Sequence, residues 1–179
     1  MKMMKLTAMF VALLAILTLT ACGDDKPSPI NNQEPSTVVD TKWEKEMSTE
    51  ELKGFLLLMN GGVDSDDLYV PDGTTATFVF DFFSGTDVYF DLNLVTPLLP
   101  VKMRMQIPYT YNASTETVLF KLSENTIVSV EPQLPAFSDI DLSEADDAIG
   151  KVNWDQKTLT INFTEDGATM ASLILKQTK

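Results

Sequence analysis

An unbroken alternation of apolar and polar side chains runs along Val101-Lys102-Met103-Arg104-Met105-Gln106-Ile107. Successive side chains of a β-strand point to opposite faces of the sheet, so this pattern predicts a strand with one apolar and one hydrated face. Such strands are typical of antiparallel sheets that bury one side. Pro108 follows directly and is predicted to end the strand, because proline lacks the N–H that a sheet ladder uses.

Similar segments flank this strand and are separated by turn signals such as Asp72-Gly73 and Ser84-Gly85. The predicted strands are residues 74–83, 87–94, 101–107, 109–111, 116–122, 126–131, 151–154, 157–163 and 168–176. Short strands with turns often every eight to twelve residues are typical of an antiparallel barrel or sandwich. Because most turns join strands that are consecutive in sequence, a mainly β chain with an up-and-down barrel of about eight strands is favoured. A β-sandwich is the alternative.

One or two short helices are expected beside the strands. Ser48 and Glu51 have the spacing of a capping box, and Gly61-Gly62 ends the helical pattern. Between them, apolar side chains recur at the spacing of one helix face, at Leu52, Phe55, Leu56 and Met59. Ser143, followed three residues later by an acidic residue, predicts the start of a second surface helix, and Gly150 predicts its end.

The N-terminus has the layout of a secretory signal, with Lys2 and Lys5 before an apolar run at residues 6–19. The run is shorter than the roughly 20 residues that span a bilayer. Leu19-Thr20-Ala21 leads directly to Cys22, the single cysteine of the chain. This junction resembles the bacterial lipobox, and the resemblance implies cleavage before Cys22, diacylation of its thiol and acylation of the new amino terminus. An ordinary secretory signal with a chance cysteine is the alternative.

The segment after the cysteine, Gly23-Asp24-Asp25-Lys26, resembles the acidic export signal of Bacteroidota surface lipoproteins. The resemblance implies an outer-membrane lipoprotein and, more specifically, one that is exposed on the cell surface. A hydrated linker with chance acidic residues is the alternative. The expected organisation is a signal peptide at 1–21, the lipidated cysteine and a flexible, proline-containing tether at 22–41, and a single β domain at 42–179.

The composition excludes several classes of function. The chain has 26 acidic and 13 basic residues, no histidine, and a net charge of −13. A surface this acidic repels nucleic acid, so no nucleic-acid partner is expected. Without histidine there is no Ser-His-Asp triad and no histidine-based zinc or iron site. With one cysteine, no disulfide framework forms. We therefore expect no enzyme activity and no cofactor.

Met103 and Met105 are the first candidate ligand-binding residues, because they share a strand face with Val101 and Ile107. Methionine adapts to irregular apolar ligands but equally fills gaps in cores. An eight-stranded barrel is either packed solid or holds one small ligand, so both interpretations stay open. The same applies to Tyr109 and Tyr111, which share a strand face and could bind sugars or peptides or serve in packing.

Two acidic clusters, at residues 64–72 and 139–147, each match part of the pattern of a calcium loop. Leu68 occupies a ligand position in the first, and Glu144 stands where an EF-hand has glycine in the second. No metal site is therefore predicted. Solvated loops are the default interpretation, and an irregular calcium site in the first cluster is the alternative.

The strand layout is similar to the calycin-like (lipocalin-like) domains of Bacteroidota lipoproteins. The resemblance rests on Trp43 soon after the tether, the meandering hairpins, and the closing pair Thr158-Leu159-Thr160-Ile161 and Leu173-Ile174-Leu175. The lipocalin Gly-x-Trp signature is absent, since Thr41-Lys42 precedes Trp43. The resemblance implies a barrel that binds a small apolar molecule or a peptide. An interaction module of a surface complex, acting through its loops, is the alternative, and a carboxylate hydrolase is a third class.

Overall fold

The computed structural model describes residues 37–59, 70–132, 145–165 and 168–179. Within these ranges the chain forms strands and one α-helix. The strands are β1 Lys42–Met47, β2 Thr75–Asp81, β3 Asp87–Val95, β4 Val101–Asn112, β5 Thr117–Phe120, β6 Thr126–Glu131, β7 Ala148–Asn153, β8 Thr158–Glu165 and β9 Ala168–Gln177. The helix α1 spans Thr49–Met59, and a 3₁₀ turn spans Leu122–Glu124.

Eight of these strands close into an antiparallel barrel. The order of pairing is β1-β2-β3-β4-β5-β7-β8-β9, and β9 pairs again with β1. Almost every pair of neighbouring strands is consecutive in sequence. The predicted up-and-down barrel is therefore confirmed, and the sandwich alternative is wrong. The architecture is consistent with a calycin-like fold. The seam between β1 and β9 is short, with Trp43 opposite Gln177 and Glu44 opposite Lys176.

Strand β4 is longer than predicted and runs through Pro108, so the predicted end at Pro108 is wrong. Pro108 is opposite Asp87, at the last pair between β4 and β3. On its other side it faces the break between β5 and β6, where its carbonyl accepts a hydrogen bond from the Lys121 amide at 2.9 Å. No ladder bond is required from the missing N–H at this position, so the ring is tolerated inside the strand.

Strands β5 and β6 follow one after the other along the same edge of β4, separated by the 3₁₀ turn. β5 pairs with Tyr109–Asn112 and β6 with Lys102–Gln106. The register of β6 shifts between Arg104 and Met105, which is a bulge at Val128. The barrel continues from β5 to β7, whereas β6 pairs with no other strand in the described part of the chain.

Helix α1, which the sequence predicts, covers the end of the barrel where β1 passes to β2. The Ser48 amide donates to Glu51 Oε2 at 2.8 Å and the Glu51 amide donates to Ser48 Oγ at 3.3 Å, which completes the capping box. Leu52 and Phe55 are buried, and the Phe55 ring packs edge-on against Phe78 at 5.5 Å. In the described residues, no helix is long and apolar enough to cross a membrane.

Gly150 does not end a helix; it lies inside β7, opposite Val118 of β5 and Ile161 of β8. That part of the second predicted helix is therefore wrong, and its predicted start at Ser143 lies outside the described residues. A Cβ at Gly150 would stand 3.0 Å from both Leu159 Cδ1 and Phe120 Cε2. The glycine is there because two core side chains approach its backbone closely, a reason that no local pattern shows.

Replacing Gly150 with alanine is expected to lower the free energy of unfolding by about 1–3 kcal/mol, because Leu159 and Phe120 are buried and cannot move aside without strain. Urea unfolding measures the change. The matched control is Gly85→Ala, since a Cβ at Gly85 meets nothing within 4 Å. Equal stability of the two variants would contradict the assignment of Gly150 to a close packing contact.

Candidate functional site

The inner face of β4 carries both candidate methionines. Met103 lies opposite Val130 and Met105 lies opposite Ile127 across the β4–β6 ladder. Facing residues of an antiparallel pair point to the same side of the sheet, so the four side chains form one apolar surface, which we name the β4 wall. It continues onto β3 because Leu92 is opposite Met103.

The two halves of the β4 wall differ in exposure. Met103 and Met105 are 4 % and 2 % exposed, whereas Ile127 and Val130 are only half-buried although they face inward. The difference follows from the topology, because β5 is continued by β7 but no described strand continues the wall beyond β6. The methionines therefore form a floor, and Ile127 and Val130 form its accessible margin.

Aromatic rings fill the barrel behind this floor. Phe80 packs against Phe90 at 4.9 Å and against Phe120 at 5.4 Å between ring centroids. Helix α1 closes the same interior with Phe55. The β4 wall thus has a rigid backing, and it carries no acid, base or nucleophile. What it can offer chemically is apolar contact area with some adaptability from the two thioethers.

Tyr109 is buried at the opposite end of the barrel from α1. Its hydroxyl donates a hydrogen bond of 2.6 Å to the carbonyl of Ser84, and its ring packs edge-on against Phe82 at 4.9 Å. Burial, with a smaller contribution from Asp87, raises the pKa of Tyr109 to about 12. The hydroxyl is therefore engaged within the protein, and Tyr109 serves in packing at this end of the barrel.

Tyr109→Phe is expected to remove a component of alkaline sensitivity. The folded pKa of Tyr109 lies above the value of about 10 in an unfolded chain, so its stabilising effect is complete below pH 10 and is lost as the pH rises toward 12. Between pH 9 and 11 the wild type should lose about 1 kcal/mol more than the variant. Urea unfolding at both pH values measures this, and parallel losses in the two proteins would contradict it.

Tyr111 lies on the same face of β4 as Tyr109, as predicted, but it is only half-buried. Beside it the β4–β5 hairpin borders a surface depression of about 410 Å³. The depression is lined by Thr110, Tyr111, Asn112, Ala113, Thr117 and Leu119. It lies beyond the Pro108 position, whereas Met103 and Met105 pair with β6. The structure thus divides the four predicted residues between two places.

Sequence reasoning missed an ordered cluster on the outside of the barrel. Arg104 makes a two-pronged salt bridge with Asp91, with N–O distances of 2.6 and 2.7 Å, and this carboxylate raises the pKa of the guanidinium. The guanidinium lies 4.9 Å above the Tyr89 ring, whose centroid is 4.0 Å from that of Phe83 in a stacked pair. Pairing the two strands symmetrically about residues 95–100, with Leu94 opposite Val101, would have placed Arg104 opposite Asp91.

A second missed feature is the apolar turn between β3 and β4. Leu98 is 88 % exposed, and Val95 and Leu99 are also exposed. Thr96 Oγ1 accepts hydrogen bonds from the amides of Leu98 and Leu99 at 3.3 and 2.9 Å and donates to the Leu99 carbonyl at 2.8 Å. The turn is thus held in one conformation that presents leucine to solvent. The signal for it in the sequence is a pair of leucines, Leu98-Leu99, between two prolines in a turn.

The remaining predicted sites lie largely outside the described residues. These are the lipobox Leu19, Thr20 and Ala21 with the acylated Cys22, and most of both acidic clusters. Asp72 is described, and a hydrogen bond of 2.7 Å from Lys53 lowers its pKa. The described residues contain no group of three or more His, Cys, Asp or Glu side chains that could hold a metal ion.

Comparison of the whole chain with protein-family models, with curated proteins and with solved structures finds no match.

Proposed function

We propose that this chain is a non-enzymatic, lipid-anchored outer-membrane protein whose barrel binds a small apolar ligand or an apolar peptide segment at the β4 wall. One observation carries the binding proposal: Ile127 and Val130 face inward yet remain half-exposed beside the buried Met103 and Met105. Covering apolar surface releases about 25 cal/mol for each Å², so an apolar group that seats on this margin gains free energy.

The rest of the proposal is supported by the sequence. The lipobox and Cys22 support the anchor, and Asp24-Asp25 support export toward the cell surface. A random-coil tether of about 19 residues would span roughly 25 Å, which places the barrel just clear of the lipid head groups. The net charge of the chain, −13, argues against anionic ligands and nucleic acid, and the apolar lining of the β4 wall favours an uncharged ligand.

The test is a titration with the neutral apolar fluorophore N-phenyl-1-naphthylamine. The protein is residues 22–179 with Cys22→Ser, which keeps every described strand. Val130→Thr retains the shape of the side chain but places a hydroxyl on the margin of the β4 wall, at a cost of about 1 kcal/mol. We therefore expect binding to weaken by about fivefold.

The matched control is Val128→Thr, the same substitution two residues away on the same strand. Val128 is 51 % exposed and stands at the bulge, outside the β4 wall. It should leave the affinity unchanged. Binding that is absent, or that both substitutions weaken equally, would contradict the proposed site.

The exposed β3–β4 turn favours a second candidate function, that of an interaction module for a protein partner. The turn lies at the α1 end of the barrel, opposite the end where the chain enters β1, so an anchored barrel would present Leu98 away from the membrane. Chemical cross-linking of the anchored protein should then capture a defined partner in the wild type but not in Leu98→Ser. Capture that Leu98→Ser leaves unchanged would contradict it.

A further inference from the structure

The second edge of β6 is a row of backbone N–H and C=O groups that pairs with no strand in the described residues. The eight strands of the barrel each have neighbours on both sides. Natural edge strands are usually protected by lysine, proline or brevity, because an open edge is a template for another strand. β6 carries neither lysine nor proline in its six residues, Thr126-Ile-Val-Ser-Val-Glu131, and the bulge at Val128 is the one irregularity in its ladder with β4.

The pattern of exposure along β6 is the same in both directions. From Thr126 to Glu131 the residues are exposed, half-buried, exposed, exposed, half-buried and exposed. The bulge produces this symmetry, because it places two exposed residues between the inward-facing Ile127 and Val130. A second β6 laid antiparallel and centred on the first would set Ile127 against Val130, and Val128 against Ser129. Each half-buried apolar side chain would then meet its counterpart on the same face.

We propose that two copies of this chain associate through β6, as an antiparallel, two-fold symmetric strand pair that joins the two β4–β6 sheets. Such an interface is isologous, so one strand supplies both halves. The charges on β6 are compatible with a second copy of the chain as its partner. Each chain carries −13, but Glu131 is the only charged residue of β6, and the register places it opposite Thr126. The two Glu131 carboxylates therefore lie at opposite ends of the strand pair.

Analytical ultracentrifugation over a concentration series tests the association on residues 22–179 with Cys22→Ser. We expect a monomer–dimer equilibrium that tightens as salt screens the net charge. Val128→Lys places two ammonium groups beside the two-fold axis and should weaken the dimer by about tenfold, which corresponds to 1.4 kcal/mol. The matched control is Ile149→Lys, which adds the same charge on β7, a strand paired on both edges. It should leave the dimer intact.

Cross-linking then tests the register, because removing Cys22 leaves a chain without cysteine. A mixture of the single variants Thr126→Cys and Glu131→Cys should form a mixed disulfide dimer, since directly opposed residues lie about 4.5–5.5 Å apart. A mixture of Thr126→Cys and Ser129→Cys, displaced by two residues, should not. A monomer at all concentrations, a dimer that Val128→Lys leaves unchanged, or cross-links independent of register would each overturn the proposal.

The dimer proposal and the ligand-site proposal can be tested independently. Val128→Lys changes the outer side of the strand and should leave binding of N-phenyl-1-naphthylamine unchanged. A chain that binds the fluorophore but stays monomeric would overturn only the dimer.

Discussion

Replacing Trp43 with alanine is expected to cost about 3–5 kcal/mol of the roughly 5–15 kcal/mol that stabilises a domain of this size. The indole is fully buried, and its N–H donates a hydrogen bond of 2.8 Å to Thr41 Oγ1, which in turn donates to the Val38 carbonyl. Trp43 also sits at the seam where β1 closes the barrel on β9 through only two residue pairs. The substitution therefore removes core volume at the point where closure has the fewest other contacts.

Urea unfolding followed by circular dichroism measures the loss. Trp154→Ala is the matched control, because its ring lies 5.8 Å from that of Trp43 but is only half-buried. This control should lose about 1–2 kcal/mol. If the two alanine variants were equally stable, Trp43 would not be the residue that holds the seam.

Substituting Cys22 with serine is expected to move the full-length protein from the membrane to the soluble fraction. The anchor that the lipobox implies needs the thiol for diacylation, and several acyl chains give stable anchoring where one gives marginal binding. Expression of the full chain in a Gram-negative host, with labelled fatty acid and membrane fractionation, measures both label and location. We expect complete loss of label and of detergent-dependent extraction.

The control for this experiment is Ala21→Gly, which keeps a small residue before the cysteine and should leave acylation intact. Retention of Cys22→Ser in the detergent-extracted fraction would contradict the anchor. A chain secreted in soluble form with or without the substitution would support the ordinary secretory signal instead.

The β4 wall ties the two proposals to one region of the barrel. In the described part of the chain no strand continues the sheet beyond β6, so Ile127 and Val130 are accessible from inside and a backbone edge is open outside. A second β6 would extend the apolar surface rather than cover Met103 and Met105 from above.

The candidate site was only partly predictable. Alternation placed Met103 and Met105 together on an apolar face, and it placed Tyr109 beside Tyr111. It could not show that Ile127 and Val130 complete the wall, because that depends on which edge of β4 accepts β6 and on the bulge at Val128. Nor could it separate Tyr109, whose hydroxyl is engaged by Ser84, from Met103 at the far end of the same strand.

The amino-acid pattern alone determined what periodicity and local chemistry control. It predicted the β class, most strand positions and the Ser48–Glu51 cap, because each depends on neighbours a few residues apart. The signal peptide at residues 1–21 before Cys22 stays a prediction from the same kind of local pattern. Contacts between distant residues decided the rest. β1 was missed because its charged residues hide the alternation, and it forms because β2 and β9 supply partners on both sides. Gly150 was misread as a helix end because only the approach of Phe120 and Leu159 explains it, and Pro108 is tolerated because two ladders end beside it.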